Sequence, residues 1–466
     1  MPEHAKAKAP LTIRDQQRMP TLLKAISADA MLAAFRALFA ERQSPLAPQL
    51  TACRVEQVYH KGGEKCRILY RLKFQQDADC WDQWLFGQLF ADEARLEAKA
   101  SKHQHETSIH PDMPQGLWPE MRMWLSHIPN DRRLPQLKTL MRPQAMLELA
   151  QSQATALGLD EGWRCQEAQI HPVKYKRGKR CLLRCTFDWE GPGRETRTTT
   201  VYAKTTNTQP SGYVYDAVNT LHRRMDHRTN PLQWGVPLCH FEQLHTIWYK
   251  ALNGHSFSQT IDTPGWQKHL PDIAQGLAAL HLCDTDQLAL RPLASIESLL
   301  THAQEDVKNI SAFDFPLEAL NTVVDNMHKQ QGVFSQPHPA TAIHGTFTVG
   351  QILYGEDGLG LIDFDWIGIG DPLYDVAEFA SSLLTLNIKR GLPIQEVYSA
   401  VEAFFQTYQH QVPWACDPQR IRWYMHLFLL GKTHSLLKRL VVKDQTQIDA
   451  SLNLILKDLP HVLRSL

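Results

Sequence analysis

The sequence predicts an α+β protein with a β-rich front and a helical back, and three observations carry that reading. Residues 45–252 hold strand-like runs of β-branched and aromatic residues broken by turns. Residues 253–466 hold mostly helical apolar periodicities. Strand runs followed by helix runs segregate into separate layers. The third observation is an island of turns and short strands at residues 343–380, inside the helical half, which carries the residue types of a chemical site. With 466 residues and 43% hydrophobic content, the chain is long enough for two or three cores.

The elements follow in order. Residues 1–44 read as a tail and an amphipathic helix, Ala28–Glu41, with Ser27 or Asp29 available as its cap. Residues 45–145 form a β-rich module with a helix over residues 92–103, and residues 144–158 read as a helical connector. The second module, residues 146–252, contains VKYKRGKRCLLRCTF at 173–187, two strand-like runs around a basic turn. It continues with TTTVYAK at 198–204, a β-branched strand ending in lysine, and with a strand and hinge at 247–254. In residues 253–466, helices are expected at 270–282, 376–384 and 422–440. The proline-containing stretch 330–342 delivers the chain to His344.

The island reads IHGTFTVGQILYGEDGLGLIDFDWIGIGDPLYDVAEFA. Gly355-Glu356-Asp357-Gly358 separates two apolar runs, so a hairpin is expected that brings Gln351 beside Asp363. An amide oxygen and a carboxylate are hard donors, and together they suit Mg²⁺, with water and phosphate oxygens filling its other positions. Asp365 reads either as a second metal contact or as a hydrogen-bond brace. Asp371, ahead of a proline and a helix, reads as a cap or brace, and His344 as a residue that orients its loop. Upstream, Lys204 suits a phosphate as a point charge, with Lys176, Gly178 and Lys179 in the basic turn one hairpin before it.

His344-Gly345-x, Ile362-Asp363-Phe364-Asp365 and Gly370-Asp371-Pro372-x-x-Asp375 resemble the catalytic and metal loops of the aminoglycoside phosphotransferase/choline kinase-like family. The resemblance implies a two-lobed protein-kinase-like fold, with a β-rich small lobe and a mainly helical large lobe. It also implies ATP- and Mg²⁺-dependent phosphorylation of a small-molecule hydroxyl. On that likeness Asp363 is the principal metal ligand, Gln351 stands where the family usually has Asn, and Lys204 is the nucleotide lysine. Asp216 is the candidate acidic partner for that lysine. Thr346 stands at the position of the family's catalytic Asp, so Thr346, His344 and Asp365 are the candidates at the reacting hydroxyl. A threonine cannot act as a carboxylate base near neutral pH, and such a base contributes about 10²–10⁴-fold. The expectation is therefore an impaired phosphotransferase. The alternative is a pseudokinase, a nucleotide- or ligand-binding scaffold that regulates a protein partner.

The chain also resembles itself. Residues 59–72 (YHKGGEKCRILYRL) align without gaps on residues 174–187, matching Gly63 to Gly178, Lys65 to Arg180 and Cys66 to Cys181. Further on, Gln88 falls opposite Lys204. Residues 45–145 thus read as a degenerate duplicate of the small lobe that does not hold phosphate.

Composition bounds the partners. Lys+Arg and Asp+Glu both number 49, which gives no electrostatic case for nucleic acid or an anionic membrane surface. Nine cysteines without a Cys-x-x-Cys pair, no apolar run of membrane length and no secretory leader point to a cytoplasmic protein. His103, His105 and His110 share a polar stretch without further ligands, so a solvated loop is expected there rather than zinc.

Overall fold

The first sheet is built on three long antiparallel strands, two of which (the second and third) carry apolar residues on both faces, so both faces must be covered. These are β1 (Leu50–Lys61), β2 (Lys65–Gln76) and β3 (Asp79–Phe90), joined by β4 (Gly116–Trp118) and β5 (Met123–His127) in the order β1-β2-β3-β5-β4. Ile68, Tyr70 and Leu72 of β2 share a core with Met31, Phe35, Leu38 and Phe39 of α1 (Ala28–Glu41). Ser27 caps α1, its hydroxyl accepting from the Ala30 N–H at 3.4 Å. Leu69 points to the opposite face, where it joins Trp84 and Phe86 in a second core. α2 (Glu93–His103) closes one end of the sheet through Leu96, against Phe90 and Trp124.

This computed structural model describes residues 18–61, 64–77, 79–103, 112–207, 212–261, 263–311, 313, 317–336, 338–439, 450 and 453. Gly63, His105 and His110 lie outside the described residues. Among the described residues no helix is long and apolar enough to cross a membrane.

After α3 (Pro143–Ser152) the second sheet repeats the plan. It comprises β6 (Arg164–Lys176), β7 (Arg180–Glu190) and β8 (Thr196–Thr206), then α4 (Gly212–Arg224). β9 (Leu232–Trp234), β10 (Pro237–Phe241) and β11 (Thr246–Lys250) follow. Its order is β6-β7-β8-β11-β10, the order of the first sheet. The registers correspond as well: Arg67 faces Gln88 and Gln88 faces Trp124, as Leu182 faces Lys204 and Lys204 faces Ile247. In each sheet a 3₁₀ turn before the last strand ends in a left-handed residue, Arg122 or His245.

The faces are used differently. Val201 and Ala203 of β8 lie in the same core as Trp84 and Phe86 of β3. Strand alternation then puts Gln88 on the face turned toward the second sheet, and Lys204 on the face turned away from the first. The first sheet lies with its Gln88 face on the back of the second.

β9 departs from the expected boundary at residue 252. It pairs in parallel with β15 in a sheet of order β12-β14-β15-β9, formed with β12 (His255–Ser256), β14 (Ile352–Gly355) and β15 (Gly358–Leu361). β13 (Thr341–Ile343) pairs with β16 (Gly368–Gly370). The helices of this lobe are α5 (Leu270–His281), α6 (Ile296–Ile310), α7 (Leu317–Lys329), α8 (Leu373–Arg390), α9 (Ile394–Gln411) and α10 (Pro418–Lys438). α8 packs on both α9 and α10. It begins three residues before the expected start because the Asp371 carboxylate accepts from the Leu373 N–H at 2.9 Å, capping the first turn.

Candidate active site

In the β14–β15 hairpin the first strand starts one residue after its apolar run and the second one residue before its own, with Ile352 opposite Leu361. The Ile362 N–H donates to the Gln351 carbonyl at 3.0 Å, closing the hairpin at the edge of the site. The next residue, Asp363, has φ 73°, a left-handed conformation that a side chain other than glycine rarely takes. The surrounding contacts hold it there. The Lys204 ammonium contacts Asp363 Oδ1 and lies 2.6 Å from Asp365 Oδ2, and Arg180 Nη1 approaches the same Asp365 oxygen at 3.5 Å. Burial alone pushes the Asp363 carboxyl up, but the Lys204 charge more than offsets this and holds it at about 2. Asp363 is therefore ionised at neutral pH. Tyr249 of β11 stands nearby as a neutral phenol, pushed up by burial and then by the charges of Asp365 and Asp363.

The other wall is the His344-Gly345-Thr346 turn. Asp375, fully buried at the start of α8, accepts from the N–H groups of His344 (2.6 Å) and Gly345 (2.9 Å) and sits 3.3 Å from His281 Nε2. Gly345 has φ 77°, and a Cβ there would strike the Trp366 carbonyl. His344 is itself fully buried, with Nε2 3.2 Å from the Ile362 carbonyl and Nδ1 3.4 Å from the Thr346 hydroxyl. Burial lowers its pKa despite the opposing charges of Asp375 and Asp363. It ties the turn to the Ile362-Asp363 loop as a neutral ring. Thr346 is half-buried beside it.

Several expected residues sit otherwise than the sequence suggested. The hairpin brings the backbone of Gln351 beside the Ile362-Asp363 loop, but its side-chain oxygen accepts from the Thr348 hydroxyl. Lys204 takes its acidic partners from the large lobe, whereas Asp216 is exposed on α4. α4 reaches the site through Tyr213 instead, whose hydroxyl donates to the Ile367 carbonyl at 2.7 Å. Asp371, read as a cap or brace, caps α8 and braces the fold, 3.0 Å from Arg420 Nη1 and 3.2 Å from His338 Nδ1. Trp366 is 70% exposed directly after Asp365.

The basic turn is held from outside the second module. Gly178, at φ 65°, donates its N–H to Asp131 Oδ2 at 2.6 Å, and the Tyr175 hydroxyl donates to the same oxygen at 2.7 Å. Arg177 lies over the Phe86 ring at 4.8 Å. The Gly178 amide thus faces a carboxylate of the 128–136 loop, while Lys176 and Lys179 remain exposed on the rim. Gln136 fastens the same loop to the end of β8, donating to Thr205 Oγ1 (2.7 Å) and to the Thr206 carbonyl (2.8 Å). Sequence reasoning missed Asp131, because no local pattern ties a loop carboxylate to a turn 47 residues further on.

No group of three or more His, Cys, Asp or Glu side chains suited to a metal occurs among the described residues. Asp363 and Asp365 nevertheless converge on one cation, the Lys204 ammonium. Two carboxylate oxygens at one point fit Mg²⁺, which takes few protein ligands and completes its shell with water and phosphate.

Residues 232–424 match the model of the phosphotransferase enzyme family, a span that includes the whole 343–380 island. The comparison with curated proteins returned no match. Among solved structures, the chain is similar to the aminoglycoside phosphotransferase APH(3'')-Id of Streptomyces rimosus, at 18% identity and TM-score 0.39, covering 62% of this chain and 97% of that one. It is also similar to a choline/ethanolamine kinase family protein of Mesorhizobium loti, at 12% identity and TM-score 0.42, covering 64% and 92%. A spectinomycin phosphotransferase in complex with ADP and spectinomycin aligns at 14% identity and TM-score 0.44, covering 70% and 99%.

Proposed function

We propose that this chain is an ATP- and Mg²⁺-dependent phosphotransferase acting on a hydroxyl of a small molecule, slowed by the absence of a carboxylate at Thr346. The observation that supports this best is the meeting of Lys204 with Asp363 and Asp365 across 159 residues of sequence, at the junction of a sheet and a helical lobe. Asp363 and Asp365 would hold Mg²⁺, which when bound neutralises phosphate charge. Lys204 would grip the phosphate oxygens, with Lys176 and Lys179 at the rim. Thr346 would hold the acceptor hydroxyl through its own hydroxyl. The Pγ–O bond to ADP breaks as the Pγ–O bond to the acceptor forms. ADP leaves with the electron pair, and the hydroxyl proton passes to water. Such transfers depend chiefly on positioning and charge neutralisation, so loss of the base slows the reaction without removing the rest of the site. A cytoplasmic setting, where ATP is supplied, goes with this reading.

The second reading, a pseudokinase that binds nucleotide without turnover, is favoured by Thr346 and by the Thr348–Gln351 contact. We also propose that residues 45–145 are a degenerate small-lobe copy, on the strength of the shared strand order and register.

The test combines melting temperature in Mg·ATP with ADP release against a pool of alcohols. The phosphotransferase reading expects stabilisation by Mg·ATP and slow, acceptor-dependent ADP release that rises in Thr346→Asp. Stabilisation without release in either protein selects the pseudokinase. No response to Mg·ATP overturns both.

A further inference from the structure

Cations of the second sheet and of the large lobe gather around Tyr59. Lys176 of β6 and Arg439, just past the end of α10, each lie 6.0 Å from the centre of the same Tyr59 ring, contributed by β1 of the first module. Lys438 precedes Arg439; burial and the Arg439 charge push its pKa down, Asp306 pulls it up, and the Lys179 charge lowers it from the opposite turn. Lys389, near the end of α8, is pushed down to about 8 first by burial and then by the charges of Lys432, Arg439 and Arg390. None of Lys176, Lys179, Lys389 and Arg439 makes an ion pair with an acidic side chain among the described residues. In a chain with as many acidic as basic residues, such a gathering is a local choice. A helix C-terminus favours a cation, which accounts for one charge at the end of α8 or α10. It does not account for Lys389, Lys438 and Arg439 gathering together opposite the basic turn, where like charges repel.

Resting on the phosphotransferase reading above, we propose that the phosphate acceptor is an anionic alcohol, a phosphorylated or carboxylated sugar or polyol, whose negative group is seated by Lys389, Lys438 and Arg439. These cations belong to the lobe that carries Thr346, the residue assigned to the acceptor hydroxyl. The triphosphate is gripped from the other lobe by Lys204 and the basic turn. An acceptor bearing its own negative charge meets the large-lobe cations and presents its hydroxyl toward the floor formed by Asp363. A cationic aminosugar would meet repulsion at the same rim.

The test is calorimetric titration of the full chain with glucose 6-phosphate, glycerol 3-phosphate and gluconate, beside glucose and glucosamine. Each is titrated with and without saturating Mg·ADP. At least one of the three anions is expected to bind tenfold or more tighter than glucose and glucosamine, to keep its affinity in Mg·ADP, and to weaken between 50 and 300 mM KCl. The double variant Lys389→Gln/Arg439→Gln is expected to lose that affinity tenfold or more at unchanged melting temperature, and Arg439→Lys to retain most of it. Equal binding of glucose or glucosamine, an anion displaced by Mg·ADP, a double variant that binds as the parent does, or no binding by any of the three anions overturns the proposal. Failure of the nucleotide reading shows separately, as no heat with Mg·ADP while the anion titrations still report.

Discussion

The two five-stranded sheets have the same strand order and matching registers, yet one carries Gln88 where the other carries Lys204. What separates them is the fate of one face. In the second sheet the Lys204 face meets the large lobe, and the lysine finds two carboxylates there. In the first sheet the corresponding face is pressed on the back of the second, in a core shared by Trp84, Phe86, Val201 and Ala203. Gln88 is 8% exposed there, where an ammonium without a partner would be costly. Two sheets of one strand order can therefore turn corresponding faces to different uses, one to a charged site and one to packing.

Exchanging the two residues gives the largest effects. Lys204→Ala makes the second sheet chemically like the first, leaving Asp363 and Asp365 without their cation. Mg·ATP affinity should fall by about 2–5 kcal/mol, as truncating one member of a close charge pair does, measured by calorimetry. Gln88→Lys is the reverse exchange. It should cost about 3 kcal/mol in denaturant unfolding and create no second nucleotide site, because that face stays covered. A Gln88→Lys protein as stable as the parent and binding two nucleotides would break the comparison outright.

Asp131→Ala attacks the joint between the sheets. It strands the Gly178 N–H and the Tyr175 hydroxyl, at about 1–3 kcal/mol for each unsatisfied buried donor. Asp131→Asn should recover part of that stability, and in both variants the KM for ATP should rise more than kcat falls, since only the basic turn is loosened. The comparison also has a pH signature. His344 is held neutral by burial with its pKa below the ordinary 6.5, so its contribution is complete above 6.5. It is lost as the pH falls from 6.5 toward the folded-state value, because the unfolded chain takes up the proton first. Asp363, held at about 2 against an ordinary 3.8, stabilises above 3.8 and loses that contribution between 3.8 and about 2. Acid unfolding should therefore loosen the large-lobe site before the first sheet, as read by hydrogen exchange at His344 and at Tyr70. The smallest effect is expected from Trp366→Ala, which should leave stability within about 0.5 kcal/mol, as exposed positions do, and raise the acceptor KM.

Local sequence was enough for much of this. The Ser27 cap and apolar stripe gave the limits of α1, and the Gly-Glu-Asp-Gly turn gave the hairpin to within one residue. Gln88 was legible as the counterpart of Lys204 because strand register preserves spacing. Asp216 was the wrong partner for Lys204 because proximity along the chain says nothing about which face of α4 a carboxylate occupies. The side chain of Gln351 was misdirected because a neighbouring hydroxyl, Thr348, competes for its amide oxygen.

The sequence by itself determined the elements, their approximate limits and the functional groups carried at Asp363, Lys204 and Thr346, since periodicity, turns and functional groups are local properties. Only the tertiary structure decided that β9 joins the large lobe, that Asp131 grips Gly178, and that the first sheet turns its Gln88 face inward. Those outcomes depend on which apolar faces cover one another, and that is settled by the whole chain's burial rather than by any segment of it.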